Sequence, residues 1–415
     1  MKVVHATHSD SRGGAARAAF RVHQALHGEG VDSWMVVNRS GSGHGRVLPP
    51  TSSLDTLRTK VAGRLNLQVA KLQSSPNPTI HSPAVFSGSA MRRVAREAPD
   101  VVNLHWLGAG ALTVREIGRL DLPVVWRLAD MWAYCGAEHY DGLLSEARWR
   151  EGYSRTNRPR GHSGLDIDRW TWTRKQRAWQ RPYHIVAPSR WTAEKVSASA
   201  LLSGWPVTVI PTPLPLEVFR PYPVDQARRW LGLPADTSLV LFGADGGTRN
   251  PIKGFDLLDG ALARVATAIP SVEAVVFGEE TRGTQQRRPY SVHWMGRIDD
   301  DRRLAMLYSA SDVMVVPSRQ EAFAQTGLEA QACGTPVVAF GNTGLEDVVA
   351  HERTGYLARH LDVEDLARGI RWVLEDADRG RLSTQARDRA VRLWSPDTVA
   401  AQYVEVYEQA IAEQR

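Results

Sequence analysis

Cysteine is nearly absent: Cys135 and Cys333 are the two thiols in 415 residues. Two thiols supply neither a disulfide framework nor a cysteine-built metal site, and a reduced cytoplasm is the expected compartment. Long apolar runs are missing as well, and no stretch approaches the roughly 20 residues of a membrane span. The opening MKVVHATHSD turns polar after Val4, so it reads as a first strand and not as a signal peptide. There is no internal repeat and no low-complexity tract, which sets aside repeat architectures. What remains is ordinary globular composition, 43% hydrophobic and 23% charged. The length suits two domains of roughly 200 residues each.

The net charge of +6 is unevenly placed. From Arg148 to Arg181, ten Lys/Arg stand against three acids, an excess of seven that exceeds the net charge of the whole chain. A solvated basic loop accounts for this first, and a patch for an anionic acceptor or a membrane surface through 148–181 comes second. No zinc spacing, RNP-like run or helix-turn-helix pattern accompanies it, so nucleic acid is not an expected partner. Trp149, Trp170 and Trp172 in this segment read as an acceptor wall or, equally, as core.

Taken in order, residues 2–6 form a buried-type strand, followed by a polar loop to Gly13 and Gly14. Ala19, Val22, Ala25 and Leu26 then recur at helical spacing and stop at Gly28 and Gly30, before a second strand over 31–37. Strand, Gly-Gly, helix, strand is a Rossmann-like opening, although a turn or tight packing is the usual reason for a glycine pair. An amphipathic helix is expected over 54–72, and strands over 100–106, 122–128 and 183–187. Ser189 is placed to cap the helix that follows. Five prolines between Pro211 and Pro223 mark a linker. The second half repeats the alternation. A strand over 238–243 leads into a glycine-bearing loop and Lys253-Gly254, where a lysine suits a diphosphate as a point charge. Alternating strands and helices in both halves predict an α/β fold of two Rossmann-like domains facing across a central cleft. The expected domains are 1–211 and 212–395, with a C-terminal helix in 396–415 crossing back to the first.

The organising stretch is VPSRQEAFAQTGLEAQACGTPV, residues 316–337. It reads as a strand end, a polar turn, a helix and the start of the next strand. Glu321 and Glu329 lie eight residues apart, slightly over two helical turns, so they face one way if the first sits near the helix start. Acids also favour that end of a helix without any function. Phe323, Ala324, Gln325 and Thr326 supply the free N–H groups of a helix N-terminus, a ready phosphate site.

The run E-x-F-x-Q-T-x-x-E-A-x-A-C-G-T-P-V-V-A-F resembles the Glu-x7-Glu motif of the retaining, GT-B glycosyltransferases of family 4. HSDSRGGAARAAFRVHQALHGEGVDSWMVV resembles the N-terminus of the polysaccharide-assembly members, and VIPTPLPLEVF their inter-domain crossing. The resemblance implies sugar transfer from a nucleoside diphosphate sugar, with no cofactor and no metal. It implies that Glu329 bonds the ribose hydroxyls, that Glu321 lies against the sugar, and that the backbone after Glu321 holds the diphosphate. Gly13 and Gly14 would face the donor from the first domain. Lys253 would neutralise the leaving nucleotide. The family often adds an arginine five residues earlier, where this chain has Thr248, with Arg249 one position off. Arg297 would read the base edge, and the turn Asn342-Thr343-Gly344 would lie near the sugar.

One departure bears on the substrate. After the strand over 122–128 the family usually has His-Asp, and this chain has Ala129-Asp130. In the family that histidine bonds the 6-hydroxyl of the transferred sugar, which Ala129 cannot do. Three readings follow: a donor that is deoxy or modified at C6, replacement by Asp130 or His105, or an impaired enzyme. The first is the working expectation. Candidate catalytic residues are therefore Glu321, Asp130 and His105, and the acceptor is a small molecule, a glycan or a lipid-linked species. CGAEHY, residues 135–140, also resembles the family, but the cysteines that often follow there are missing. Two alternatives stay open: a degenerate transferase-like partner subunit, and an epimerase or coupling enzyme of the same fold.

Overall fold

Short runs rich in valine, alternating with amphipathic helices, form parallel strands here because both faces of the central strands are buried. The computed structural model describes residues 1–142, 147–244, 246–279 and 287–414. It divides into two units, Met1–Pro213 with Pro396–Arg415, and Leu214–Ser395.

The first unit contains β1 (Lys2–Ser9), β2 (Asp32–Arg39), β3 (Val47–Leu48), β4 (Gln73–Ser74), β5 (Val101–Leu104), β6 (Val124–Arg127), β7 (Ser163–Gly164), β8 (His184–Ala187) and β9 (Val207–Val209). Seven of these form a parallel sheet in the order β3-β2-β1-β5-β6-β8-β9, while β4 and β7 pair antiparallel. The order reverses at β1, whose neighbours are β2 and β5. Val3, Val4, Val101, Val102 and Val125 on these strands are fully buried. The helix Pro396–Gln414 packs against the helix Gly14–Gly28 and against β5 and β6. Its Tyr407 hydroxyl accepts a hydrogen bond from Asn103 Nδ2 at 2.5 Å.

The second unit contains β10 (Ser238–Gly243), β11 (Val272–Phe277), β12 (Ser291–Gly296), β13 (Val313–Val316), β14 (Val337–Phe340) and β15 (Gly355–Ala358). They form a parallel sheet in the order β12-β11-β10-β13-β14-β15. The reversal falls between β10 and β13, and open α/β sheets bind ligands at the carboxyl ends of strands at such a point.

Packing corrects one expectation and decides between two others. The helix over 54–72 forms as Ser53–Ala70, capped by Ser52, but its buried residues are Ala62 and Asn66. Leu54 and Leu57 are more than half exposed, so the apolar stripe faces outward. Of the three tryptophans considered for an acceptor wall, Trp149 and Trp172 are core residues at 1% and 7% exposure, and only Trp170 is exposed. Large aromatic side chains contribute most when fully removed from water, and here they fill the space under an irregular segment. Ser189 does cap the helix Arg190–Ser197, accepting from Thr192 N–H at 3.2 Å.

Candidate active site

In the second unit β13 ends at Val316 and the helix Gln325–Ala332 begins nine residues later. The turn between them carries Glu321, which is therefore ahead of the helix and not in its first turn. Ala324 is the N-cap and offers no side-chain cap. The helix N–H groups thus begin at Gln325, one or two residues later than the window 323–326 implied. Phe323 itself is an anchor: it is 7% exposed and meets Trp394 edge to face at 6.5 Å.

Lys253, 68 residues away in sequence, reaches this turn. Its Nζ lies 2.7 Å from Glu321 Oε2, and Ser318 Oγ is 3.4 Å from the same oxygen. Glu321 is 6% exposed, while the Lys253 side chain keeps 28% of its surface. The lysine is placed by the short 3-10 turn Pro251–Lys253 and by Gly254, whose φ is 70°. A Cβ on Gly254 would lie 2.0 Å from Pro317 O, so that residue must be glycine for the loop to close against the end of β13. Gly344 N–H donates to Glu321 O at 2.8 Å. The turn after β14 is thereby fastened beside the same residue.

Glu329 is 2% exposed and accepts from the Tyr308 hydroxyl at 2.7 Å. Tyr308, fully buried on the helix Asp301–Ala310, was not singled out by the sequence, because a lone tyrosine in a helix reads as core. Thr248 and Arg249 point to a different partner from the one implied. Thr248 donates its hydroxyl and its N–H to Glu279 Oε2 at 2.8 and 3.2 Å, and Arg249 Nε lies 3.1 Å from Glu279 Oε1. Glu279, 4% exposed, organises this loop and was also missed, since nothing in a strand-end glutamate announces it. Asp245 of the loop lies outside the described residues. Arg297 follows β12 and pairs with Asp299 at 2.8 Å.

In the first unit Gly13 has φ 85° and precedes the helix Gly14–Gly28, which lacks a side-chain cap. The loop before it is held by Asp10, whose carboxylate accepts from Ser40, Gly41 and Ser42. Asp130 follows β6 and accepts from Trp106 Nε1 at 2.8 Å, His139 Nδ1 at 2.6 Å and Trp132 N–H at 3.0 Å. His139, nine residues later, donates or accepts through Nε2 with Ser82 Oγ at 2.8 Å. A small cavity is lined by Trp106, Ala129, Asp130, Trp132 and His139. An imidazole thus stands beside Asp130 although position 129 holds alanine. The only signal for it was its place in CGAEHY.

His105 lies on the same cavity as Asp130 but is buried. Its ring is 2% exposed, and its Nε2 lies 2.9 Å from His5 Nδ1. Burial, then the neighbouring Arg127 charge, holds its pKa well below the ordinary 6.5. Its Nε2 is thus taken by β1, while its Nδ1 is buried without a hydrogen-bond partner. The basic segment is corrected in part. Arg148 pairs with Asp166, Arg174 caps the carbonyls of Pro83 and Ala84, and the buried Lys175 ammonium is held by those of Trp132, Cys135 and Gly136. Arg150, Arg155, Arg160, Arg177 and Arg181 remain exposed.

Residues 12–218 match the family model described as Glycosyltransferase Family 4, and residues 239–376 match the one described as Glycosyl transferases group 1. The D-inositol 3-phosphate glycosyltransferase of Thermobispora bispora is 36% identical over 222 residues, 49% of this chain and 51% of that protein. The chain spans about half the length of the curated relatives it matches. Sucrose-phosphate synthase from Thermosynechococcus elongatus superposes with a TM-score of 0.71 at 20% identity, covering 100% of both chains. HepE of Anabaena, solved in complex with UDP and glucose, gives 0.66 at 19% identity over 98% of this chain and 99% of that one. Among the described residues no helix is long and apolar enough to cross a membrane. Two successive models of one family, on a fold shared end to end with solved glycosyltransferases, establish that this chain belongs to glycosyltransferase family 4 and has the GT-B fold.

Proposed function

We propose that the chain transfers a sugar from a nucleoside diphosphate sugar with retention of configuration and without a metal ion. The observation that carries this reading is the Lys253–Glu321 pair, 2.7 Å apart, next to the uncapped N-terminus of the helix Gln325–Ala332. An ammonium and a row of helix N–H groups compensate a departing diphosphate without a metal. In the reaction the bond from the anomeric carbon to the phosphate oxygen breaks. A bond to the acceptor oxygen forms on the same face, and the acceptor proton leaves with the diphosphate. Glu321 lies against the sugar, and Glu329 takes the ribose. Asp130 is a positioning residue, since its carboxylate already accepts three hydrogen bonds.

The donor sugar lacks an ordinary 6-hydroxyl partner at Ala129, which supports a deoxy or C6-modified sugar. UDP is the first nucleotide to try, because HepE of the same fold was solved with UDP. The relatives named as D-inositol 3-phosphate glycosyltransferases support a small polar acceptor. The exposed arginines of 148–181 suit an anionic acceptor or lipid headgroup.

The experiment is thermal unfolding with UDP, GDP, dTDP and ADP in the presence of chelator. A nucleotide that binds only the folded chain stabilises it by about 2.7 kcal/mol at ~100-fold over its Kd. One base is expected to raise the midpoint, and the shift is expected to vanish in Lys253→Ala and weaken in Glu329→Ala. No shift with any of the four refutes the donor site and favours the degenerate partner subunit that Ala129 first suggested.

A further inference from the structure

We propose that His81, Glu138 and Asp168 form a structural site for a divalent ion of the zinc class in the first unit. The three belong to separate segments: the stretch after β4, the loop after β6 and the helix Ile167–Ala178. One ligand atom from each lies within 4.8 Å of the others.

Each residue is held in place by the backbone around it. Residues 81 and 138 face each other in an isolated antiparallel bridge, with Ser82 N–H bonded to Ala137 O and His139 N–H to Ile80 O. Asp168 is fixed twice by Gln73, which donates Nε2 to its Oδ2 at 2.5 Å and accepts its N–H at 3.2 Å. His81 Nδ1 lies 2.9 Å from Asp168 Oδ1. Its Nε2 is buried and has no partner.

One carboxyl oxygen of the cluster has no hydrogen-bond donor. Glu138 and Asp168 are 6% and 3% exposed. Glu138 Oε1 takes the Tyr153 hydroxyl, but its Oε2 is buried with no partner. Lys175, the nearest ammonium in sequence to Asp168, is spent on three backbone carbonyls. The Arg148 guanidinium is engaged with Asp166 and Asn157. Room for that lone oxygen is kept by Gly136: a Cβ there would sit 2.7 Å from Glu138 Oε2 and 2.5 Å from Asp168 O. Buried carboxylates are paired, protonated or bound to a cation. Two carboxylates with one imidazole are a mixed oxygen and nitrogen set that suits zinc better than calcium or magnesium. A small cavity beside the cluster is lined by Glu138, Asp168, Tyr153 and His162, and His162 Nδ1 is likewise buried without a partner. The ion would pin two irregular segments to the start of the helix Ile167–Ala178.

The test uses the full chain, purified without a histidine tag and offered excess Zn²⁺, followed by removal of loose metal and elemental analysis. About one zinc per chain is expected, with a lower thermal midpoint after chelation and recovery on adding Zn²⁺ back. Glu138→Gln and His81→Gln are each expected to lower the bound zinc by roughly tenfold or more. Wild-type protein that retains no zinc overturns the proposal and leaves a shared proton between the carboxyl groups. Zinc retained unchanged in Glu138→Gln also overturns it, since the ion is then elsewhere. If neither variant folds, X-ray absorption on the wild-type zinc protein decides. A shell of oxygen with one or two imidazoles supports the site, and sulfur or three imidazoles refutes it.

Discussion

Acidification should destabilise the first unit through its buried histidines, and His23 allows the size to be worked out. The ring is fully buried on the helix Gly14–Gly28, with Nδ1 2.8 Å from Ser33 Oγ and Nε2 3.5 Å from His44 Nδ1. Burial, then His44, His27 and Arg46, lowers its pKa from 6.5 to about 3. The folded value lies below the unfolded one, so the unfolded chain binds the extra proton as pH falls. Stability is fully present above 6.5 and is lost progressively between 6.5 and about 3. From about pH 7.5 to about pH 5.5 this single group contributes a loss of about 1.4 kcal/mol. His5 and His105 move in the same direction, each chiefly by burial. Glu138, whose pKa burial raises, opposes them, and Lys175, lowered to about 7, adds to them. A difference between two proteins removes those terms. Urea unfolding of wild type and His23→Gln at both pH values should show the variant losing about 1.4 kcal/mol less than wild type. Equal losses in the two proteins would refute a buried neutral His23.

Two further predictions concern the second unit. Tyr308→Phe removes a 2.7 Å hydrogen bond to the buried Glu329 and should cost about 1–3 kcal/mol in denaturant unfolding; a cost near zero would show that this contact is not maintained in solution. Gly254→Ala forces a φ of 70° on alanine and a Cβ against Pro317 O. It should lose at least about 1 kcal/mol from the backbone conformation alone, with a parallel loss of the nucleotide-induced midpoint shift, and an unchanged shift would show that the Lys253 loop does not depend on this closure.

Much of the architecture was legible because local patterns agree with burial. Valine-rich runs such as those of β1, β5 and β13 have no amphipathic alternative, and the residues that end each element sit where capping and turn chemistry require. The turn carrying Glu321 and the helix carrying Glu329 were visible as a motif for the same reason. The site partners were less so. Lys253 was placed beside a diphosphate but not beside Glu321, since a contact across 68 residues has no local signature. Glu279 and Tyr308 went unnoticed because neither type nor spacing distinguishes them from surface acid and core aromatic.

The sequence by itself determined the α/β alternation, the family motif and the residues after β13 that carry it, because short-range periodicity and backbone chemistry act within a few residues. Only the tertiary structure decided which of the named side chains remain available. It set His105 against His5 and gave Thr248 and Arg249 to Glu279. It also set His139 beside Asp130 and gathered His81, Glu138 and Asp168 from three segments. A polar group leaving water must find its partner wherever the packed chain provides one, and that partner is fixed by the sheet order, not by distance along the chain.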